Sequence, residues 1–95
     1  MVFLSFAQSE DDISLWETEF NLGFQSYSNN QFDNALIHFK KSDEIATKKL
    51  AELPWPKINS KYHYALSLYQ LDRFNESLPI FEESLKLVEK VQPKD

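Results

Sequence analysis

Apolar positions along this chain recur in steps of three and four. Ile13, Trp16, Phe20, Phe24 and Tyr27 form one such series, and Phe32, Leu36 and Phe39 a second. Ile58, Tyr62, Ala65, Leu68 and Tyr69 form a third, and Leu78, Phe81, Leu85 and Val88 a fourth. That spacing puts each series on one face of a helix. No stretch alternates with a period of two for long enough to make a strand. Ser9, followed by Glu10, Asp11 and Asp12, reads as a helix start: a hydroxyl caps free N–H groups and the acids lie at the positive end of the dipole. Stops fall at Ser28-Asn29-Asn30, at Pro54-Trp55-Pro56, near Leu71-Asp72 and at Pro93. The pattern predicts an all-α chain of four helices, over residues 10 to 29, 31 to 53, 57 to 71 and 74 to 92. Pro79 is tolerable in the last of these if the helix begins near Asn75, because its missing N–H then falls in or just after the first turn.

The second half of the chain overlays the first. A shift of 42 residues pairs Phe20 with Tyr62, Leu22 with Tyr64, Gly23 with Ala65, Phe24 with Leu66 and Tyr27 with Tyr69. The same shift pairs Phe32 with Phe74, Ala35 with Ser77, Leu36 with Leu78, Phe39 with Phe81, Ser42 with Ser84 and Ile45 with Leu87. Size and polarity hold at these positions without a gap, which marks a repeated helix hairpin.

Leu22-Gly23 in the first helix and Ala35-x3-Phe39 in the second resemble the motif of the tetratricopeptide repeat (TPR) family, with Tyr64-Ala65 and Ser77-x3-Phe81 as the looser second copy. Phe32 and Phe74 supply the aromatic that opens the family's second helix. The resemblance spans residues 16 to 92. Where the family has Trp three residues before its Leu, Glu19 and Lys61 stand here beside Phe20 and Tyr62; where it has Tyr three residues after its Gly, Ser26 and Leu68 stand beside Tyr27 and Tyr69. The period exceeds the family's usual length of about 34 residues. The additional residues, in "ATKKLAEL" and "PWPKI", are similar to the longer repeats of kinesin light chains and related bacterial regulators. The resemblance implies two antiparallel hairpins, residues 10 to 53 and 58 to 92, joined by a Pro-Trp-Pro linker over residues 54 to 57, stacked as a short α-solenoid with residues 93 to 95 as a tail. It also implies a concave face on the first helix of each repeat, which here would carry Phe20, Asn21, Phe24 and Tyr27 from one and Tyr62, His63, Leu66, Tyr69 and Gln70 from the other.

Gly23, the only glycine, sits inside a helix pattern at a cost of about 1 kcal/mol against alanine. Two readings stand. In the first, Gly23 is the point where two helices cross, facing Ala35 and Phe39; in the second it marks a kink. Ala65 at the equivalent position has no need of glycine's dihedral freedom, which speaks for the crossing.

Composition narrows the function more than the fold. The chain has 95 residues and no cysteine, so thiolate catalysis and disulfides are absent and the redox compartment stays open. Net charge is −5, against the basic stripe that nucleic acid requires. Charge is also uneven: −6 over residues 1 to 39, +3 over residues 40 to 61 and −2 beyond. An acidic first helix beside a basic second helix would be a pairing device; otherwise these are solvated faces. No run approaches the ~20 apolar residues of a membrane span. "MVFLSFA" reads in two ways, as an apolar strap on the domain or as the remnant of an export signal. A cytoplasmic location is favoured by the first reading, and a periplasmic or secreted one by the second.

Catalytic chemistry finds little purchase. His38 and His63 lie in different repeats without a ligand motif, and Glu10-Asp11-Asp12 points around a helix instead of converging. The chain is expected to be no enzyme and to carry no metal or cofactor. A protein or peptide partner is expected instead, with an apolar or helical segment gripped through aromatic anchors, since no Lys or Arg lies at the groove positions to hold a carboxylate. The other reading is self-association, with the aromatic face buried against a second copy. Two repeats fall below the three or so that such arrays need, so the chain is expected to dimerise, to gain packing from its N-terminus, or to form part of a longer array. Trp55, between its prolines, is expected to plug the hairpin in preference to touching a ligand.

Overall fold

The computed structural model describes the backbone of residues 2–92 and the side chains of residues 10–92. Four helices follow one another: α1 (Val2–Ser28), α2 (Phe32–Lys49), α3 (Pro54–Gln70) and α4 (Phe74–Val91). Among the described residues there is no strand. Each helix packs on its neighbours in sequence, α1 on α2, α2 on α3 and α3 on α4, with a slight approach of α1 to α3. The predicted all-α architecture of two stacked helix hairpins is the observed one.

The repeat extends to individual hydrogen bonds. At the end of α1 the Gln31 N–H donates to the Ser26 carbonyl at 2.8 Å and the Asn30 N–H to the Tyr27 carbonyl at 3.0 Å. At the end of α3 Arg73 donates to Leu68 at 2.9 Å and Asp72 to Tyr69 at 3.0 Å. Both pairs are Schellman motifs, and both place a left-handed residue at the turn, Asn30 at φ 62° and Asp72 at φ 61°. Asn and Asp tolerate this conformation because their short polar side chains bond locally. Gln31 and Arg73 then open the following helices, whose first backbone bonds run from Ala35 to Gln31 and from Ser77 to Arg73. Every one of these bonds has its counterpart 42 positions on.

Three boundaries depart from expectation. α1 spans Val2–Ser28, so Ser9 and the acids at 10 to 12 lie within the helix and not at its start; no Pro or Gly between Val2 and Gln8 interrupts the chain's helical course. The strap reading of residues 1 to 9 concerns side chains that lie outside the described residues. Pro54-Trp55-Pro56 is no linker but the first turn of α3. Proline at that position loses an N–H that has no partner there anyway and brings a preset φ, while Leu53 before it is extended, as the proline ring demands. The second hairpin therefore begins at Pro54 and not at residue 58. Trp55, in that first turn, is exposed and plugs nothing. Pro79 lies inside α4, in its sixth position, slightly deeper than the first turn.

The core is narrow and lies between the helices. Ala35, Phe39, Ala46, Ala65 and Leu68 are fully buried. Gly23 is the crossing point: a Cβ built there would lie 2.7 Å from two ring carbons of Phe39. Its φ is not positive, so the left-handed freedom of glycine is not used there. Small residues also dominate the buried polar positions, Ser42, Ser60, Ser67, Ser77 and Ser84. Three of the hydrogen bonds join into a relay across three helices. The Trp16 indole N–H donates to Ser60 Oγ at 2.7 Å, the Ser60 and Ser42 hydroxyls lie 3.0 Å apart, and Ser42 donates to the Phe39 carbonyl at 2.9 Å. With one proton per hydroxyl, the relay runs from indole to Ser60 to Ser42 to carbonyl, and every member is satisfied.

Charge pairing between α1 and α2 is slight. Lys49 approaches Asp12 at 3.9 Å, and Glu19 bonds His38 Nδ1 at 2.9 Å. The remaining α2 lysines, Lys40, Lys41 and Lys48, are exposed, so the acidic and basic segments act mainly as solvated faces. A stronger contact joins the later helices: Lys61 on α3 reaches Asp43 on α2 at 3.3 Å and Glu83 on α4 at 3.2 Å. Burial alone would lower the Lys61 ammonium, and the two carboxylates outweigh it, leaving its pKa above the ordinary lysine value. The associated stability is full below the unfolded lysine pKa and is lost as pH rises through the higher folded one. Lys61→Met should therefore cost about 1 kcal/mol in urea denaturation at pH 7, and the difference from wild type should shrink above the ordinary lysine range. An unchanged difference at alkaline pH would show that the stem, and not the charge, does the stabilising.

Candidate functional site

The aromatic positions of α1 and α3 meet side by side. Phe20 stacks on Trp16 at 5.0 Å, meets the His63 ring edge-on at 5.0 Å and lies 5.5 Å from Phe39. Phe24 sits 6.2 Å from Phe20 and 5.6 Å from His63. Tyr62 contacts His63 at 5.4 Å and Phe81 at 5.8 Å. One cluster thus brings together Phe20, Phe24, Tyr62 and His63, four of the positions expected to form a groove.

A second group lies toward the C-terminal ends of the same helices. Tyr27 packs edge-on against Phe32 at 5.1 Å, and Tyr69 repeats the arrangement on Phe74 at 5.1 Å. The Gln70 amide donates to the Tyr27 hydroxyl at 3.0 Å and so ties α3 to α1 at this end.

Burial divides these residues by role. Phe24, Tyr62 and Tyr69 are between 46 and 52% exposed. Phe20, Tyr27, His63 and Leu66 are half-buried, and Asn21 and Gln70 are exposed. Phe20 is therefore partly core: its ring bridges the fully buried Phe39 and the surface, and its outer edge alone is available. Asn21 turns aside from the cluster and lines a shallow depression on α1 with Thr18, Leu22, Phe24 and Gln25.

His63 is held by its backbone neighbour. Its Nδ1 lies 2.8 Å from the Asn59 carbonyl; a carbonyl only accepts, so Nδ1 carries the proton and Nε2 is the acceptor of the neutral ring. The ring is thereby fixed in orientation between Phe20, Phe24 and Tyr62. Among the described residues no group of three or more His, Asp or Glu side chains gathers where a metal ion could be held, and no helix is long and apolar enough to cross a membrane.

The arrangement offers apolar contact area with a few polar handles: the Tyr62 and Tyr69 hydroxyls and the Gln70 amide. Such a surface combines large apolar faces with polar tips. Sequence reasoning located the aromatic row but missed the Trp16–Ser60–Ser42 relay that holds α3 against the first hairpin. A serine inside a helix carries no periodic signal, and only its burial shows its partner. No family model, curated protein or solved structure matches this chain.

Proposed function

We propose that this chain is a protein–protein interaction module, similar in kind to TPR domains, which takes an apolar or helical peptide segment against the aromatic row of α1 and α3. The observation that carries the reading is the exposure of Phe24 and Tyr62 in one cluster with the half-buried Phe20 and His63, with the exposed Tyr69 and half-buried Tyr27 farther along the same two helices. Contiguous apolar area of that kind marks interaction sites. Large aromatics with polar tips are the residues on which binding energy concentrates. The TPR resemblance supports the same face, because in stacked hairpins the first helix of each repeat lines the inner surface. No catalytic role is proposed, and the module would act as a scaffold or adaptor.

A displayed library of helical peptides tests this. Selected ligands should carry apolar residues at helical spacing, and Phe24→Ala or Tyr62→Ala should weaken their binding by about 1 to 3 kcal/mol in calorimetry. Thermal midpoints of both variants should stay near wild type. Hydrophilic ligands, or binding indifferent to both substitutions, would remove the groove as the site.

A further inference from the structure

Comparing burial across the repeat shows which surfaces the array leaves open. On α2 the stripe Phe32, Leu36, Phe39, Asp43, Ala46 is buried or half-buried, because α3 lies against it. Its counterpart on α4 is Phe74, Leu78, Phe81, Leu85, Val88; α3 touches it at Phe74 and Phe81, and among the described residues no further helix lies against it as α3 lies against α2. Leu78 and Leu85 are 60 and 58% exposed. The reverse holds at the other end. Lys57, Ser60, Tyr64 and Ser67 of α3 are buried or half-buried toward α2, whereas their counterparts on α1, Leu15, Thr18, Leu22 and Gln25, are all exposed.

An end of a helical array that faces water carries polar residues. Here the substitution runs the other way. Position 43 is Asp inside the array and Leu85 at its end; position 57 is Lys inside and Leu15 at the other end. The one ion pair across the interior junction, Asp43 with Lys61, thus loses its acid at the α4 end to a leucine, which belongs to an apolar interface and not to a cap.

We infer that copies of this chain associate head to tail, with α1 of one copy seated between α3 and α4 of the next as α3 is seated against α1 and α2. The two open surfaces match in kind. The slot is lined by Ile58, Tyr62, Phe81, Ser84, Leu85 and Val88, and α1 brings Leu15 and Leu22 to it. Thr18 occupies the position of Ser60; its hydroxyl now donates to the Ser14 carbonyl at 3.0 Å and would turn from it to Ser84, the counterpart of Ser42. Ser84 already donates to the Phe81 carbonyl at 2.8 Å, so its oxygen is left to accept, as Ser42 does within the chain. Glu19, at the position of Lys61, keeps His38 of its own copy as partner and needs no new charge. Because the two surfaces differ, the contact is heterologous and grows an open chain of copies instead of closing as a two-fold dimer. The inference does not rest on peptide recognition in the aromatic row.

Analytical ultracentrifugation across concentration tests it. The wild-type mass should climb past twice the 11.2 kDa of one chain without a plateau. Leu85→Asp blocks one end and Leu22→Asp the other, so each alone should self-associate about ten-fold more weakly or worse. Mixed together, they should form a one-to-one complex through their intact ends and stop there. Leu78→Lys and Leu15→Lys form a second pair with the same expected behaviour; all four positions are exposed, and circular dichroism checks that each variant is folded. A wild type that stays at one chain mass at every concentration overturns the inference, as does a mixture that fails to pair. Association that survives Leu85→Asp but is lost in Phe24→Ala also overturns it, and assigns the contact to the aromatic row.

Discussion

Phe39→Ala should lower the unfolding free energy by about 3 to 5 kcal/mol, the range for emptying a buried aromatic site. The ring is fully buried, lies over Gly23, and meets Phe20 at 5.5 Å and His63 at 5.4 Å. Its loss opens a void where three helices meet, and the narrow core has little material with which to close it. Phe24→Ala removes a ring of the same size that is half in water, and should cost no more than about 1 kcal/mol. Phe81, the repeat counterpart of Phe39, is only half-buried, so Phe81→Ala should fall between the two. Urea denaturation of the three variants gives the order. Should Phe24→Ala destabilise as much as Phe39→Ala, the aromatic row is core and the recognition surface is lost with it.

Gly23→Leu should destabilise by about 2 to 3 kcal/mol through overpacking. Two effects oppose one another here. Removing glycine from a helix gains about 1 kcal/mol of propensity, while even a bare Cβ would lie 2.7 Å from the Phe39 ring. A ring with no exposed surface cannot swing aside without displacing other core groups, so the clash wins. Gly23→Ala should accordingly be destabilising as well, though less so. Gln25→Leu, on the exposed side of the same helix, should change stability little. Equal effects at the two positions would mean that Phe39 yields and that the helices do not depend on close approach at Gly23.

Much of the fold was legible because helical periodicity and chain breaks agree. Asn30 and Asp72 mark their turns by residue type, and the close approach of Gly23 to Phe39 was visible from a lone glycine inside a helix pattern. The Pro-Trp-Pro segment misled because proline signals both a stop and a start; only the backbone of Leu53 shows that α3 begins there. Ser9 misled for a related reason, since a good cap residue is used as one only if the chain before it leaves the helix. Phe20, Phe24 and Tyr62 were readable from spacing, and His63 was expected beside them only through the TPR resemblance. How the row divides into core and surface was not readable, because Phe20 and Phe24 carry the same side chain and both meet His63, and only Phe20 also packs on Trp16 and Phe39 of its own repeat.

The pattern of contacts bears on how the chain acquires its structure. Among the described residues α1 and α4 do not touch, nor do α2 and α4, and the main junctions link helices adjacent in sequence. Most contacts therefore lie within a hairpin or across the α2–α3 junction, where loop closure costs little entropy; the α1–α3 bonds of Trp16 to Ser60 and of Gln70 to Tyr27 span 44 and 43 residues. Such low contact order favours fast folding. Ordering can begin in either hairpin and spread through the α2–α3 junction, where Trp16, Ser42 and Ser60 meet. That junction is the coupling between two otherwise local units, so its strength sets whether the hairpins melt together or one after the other.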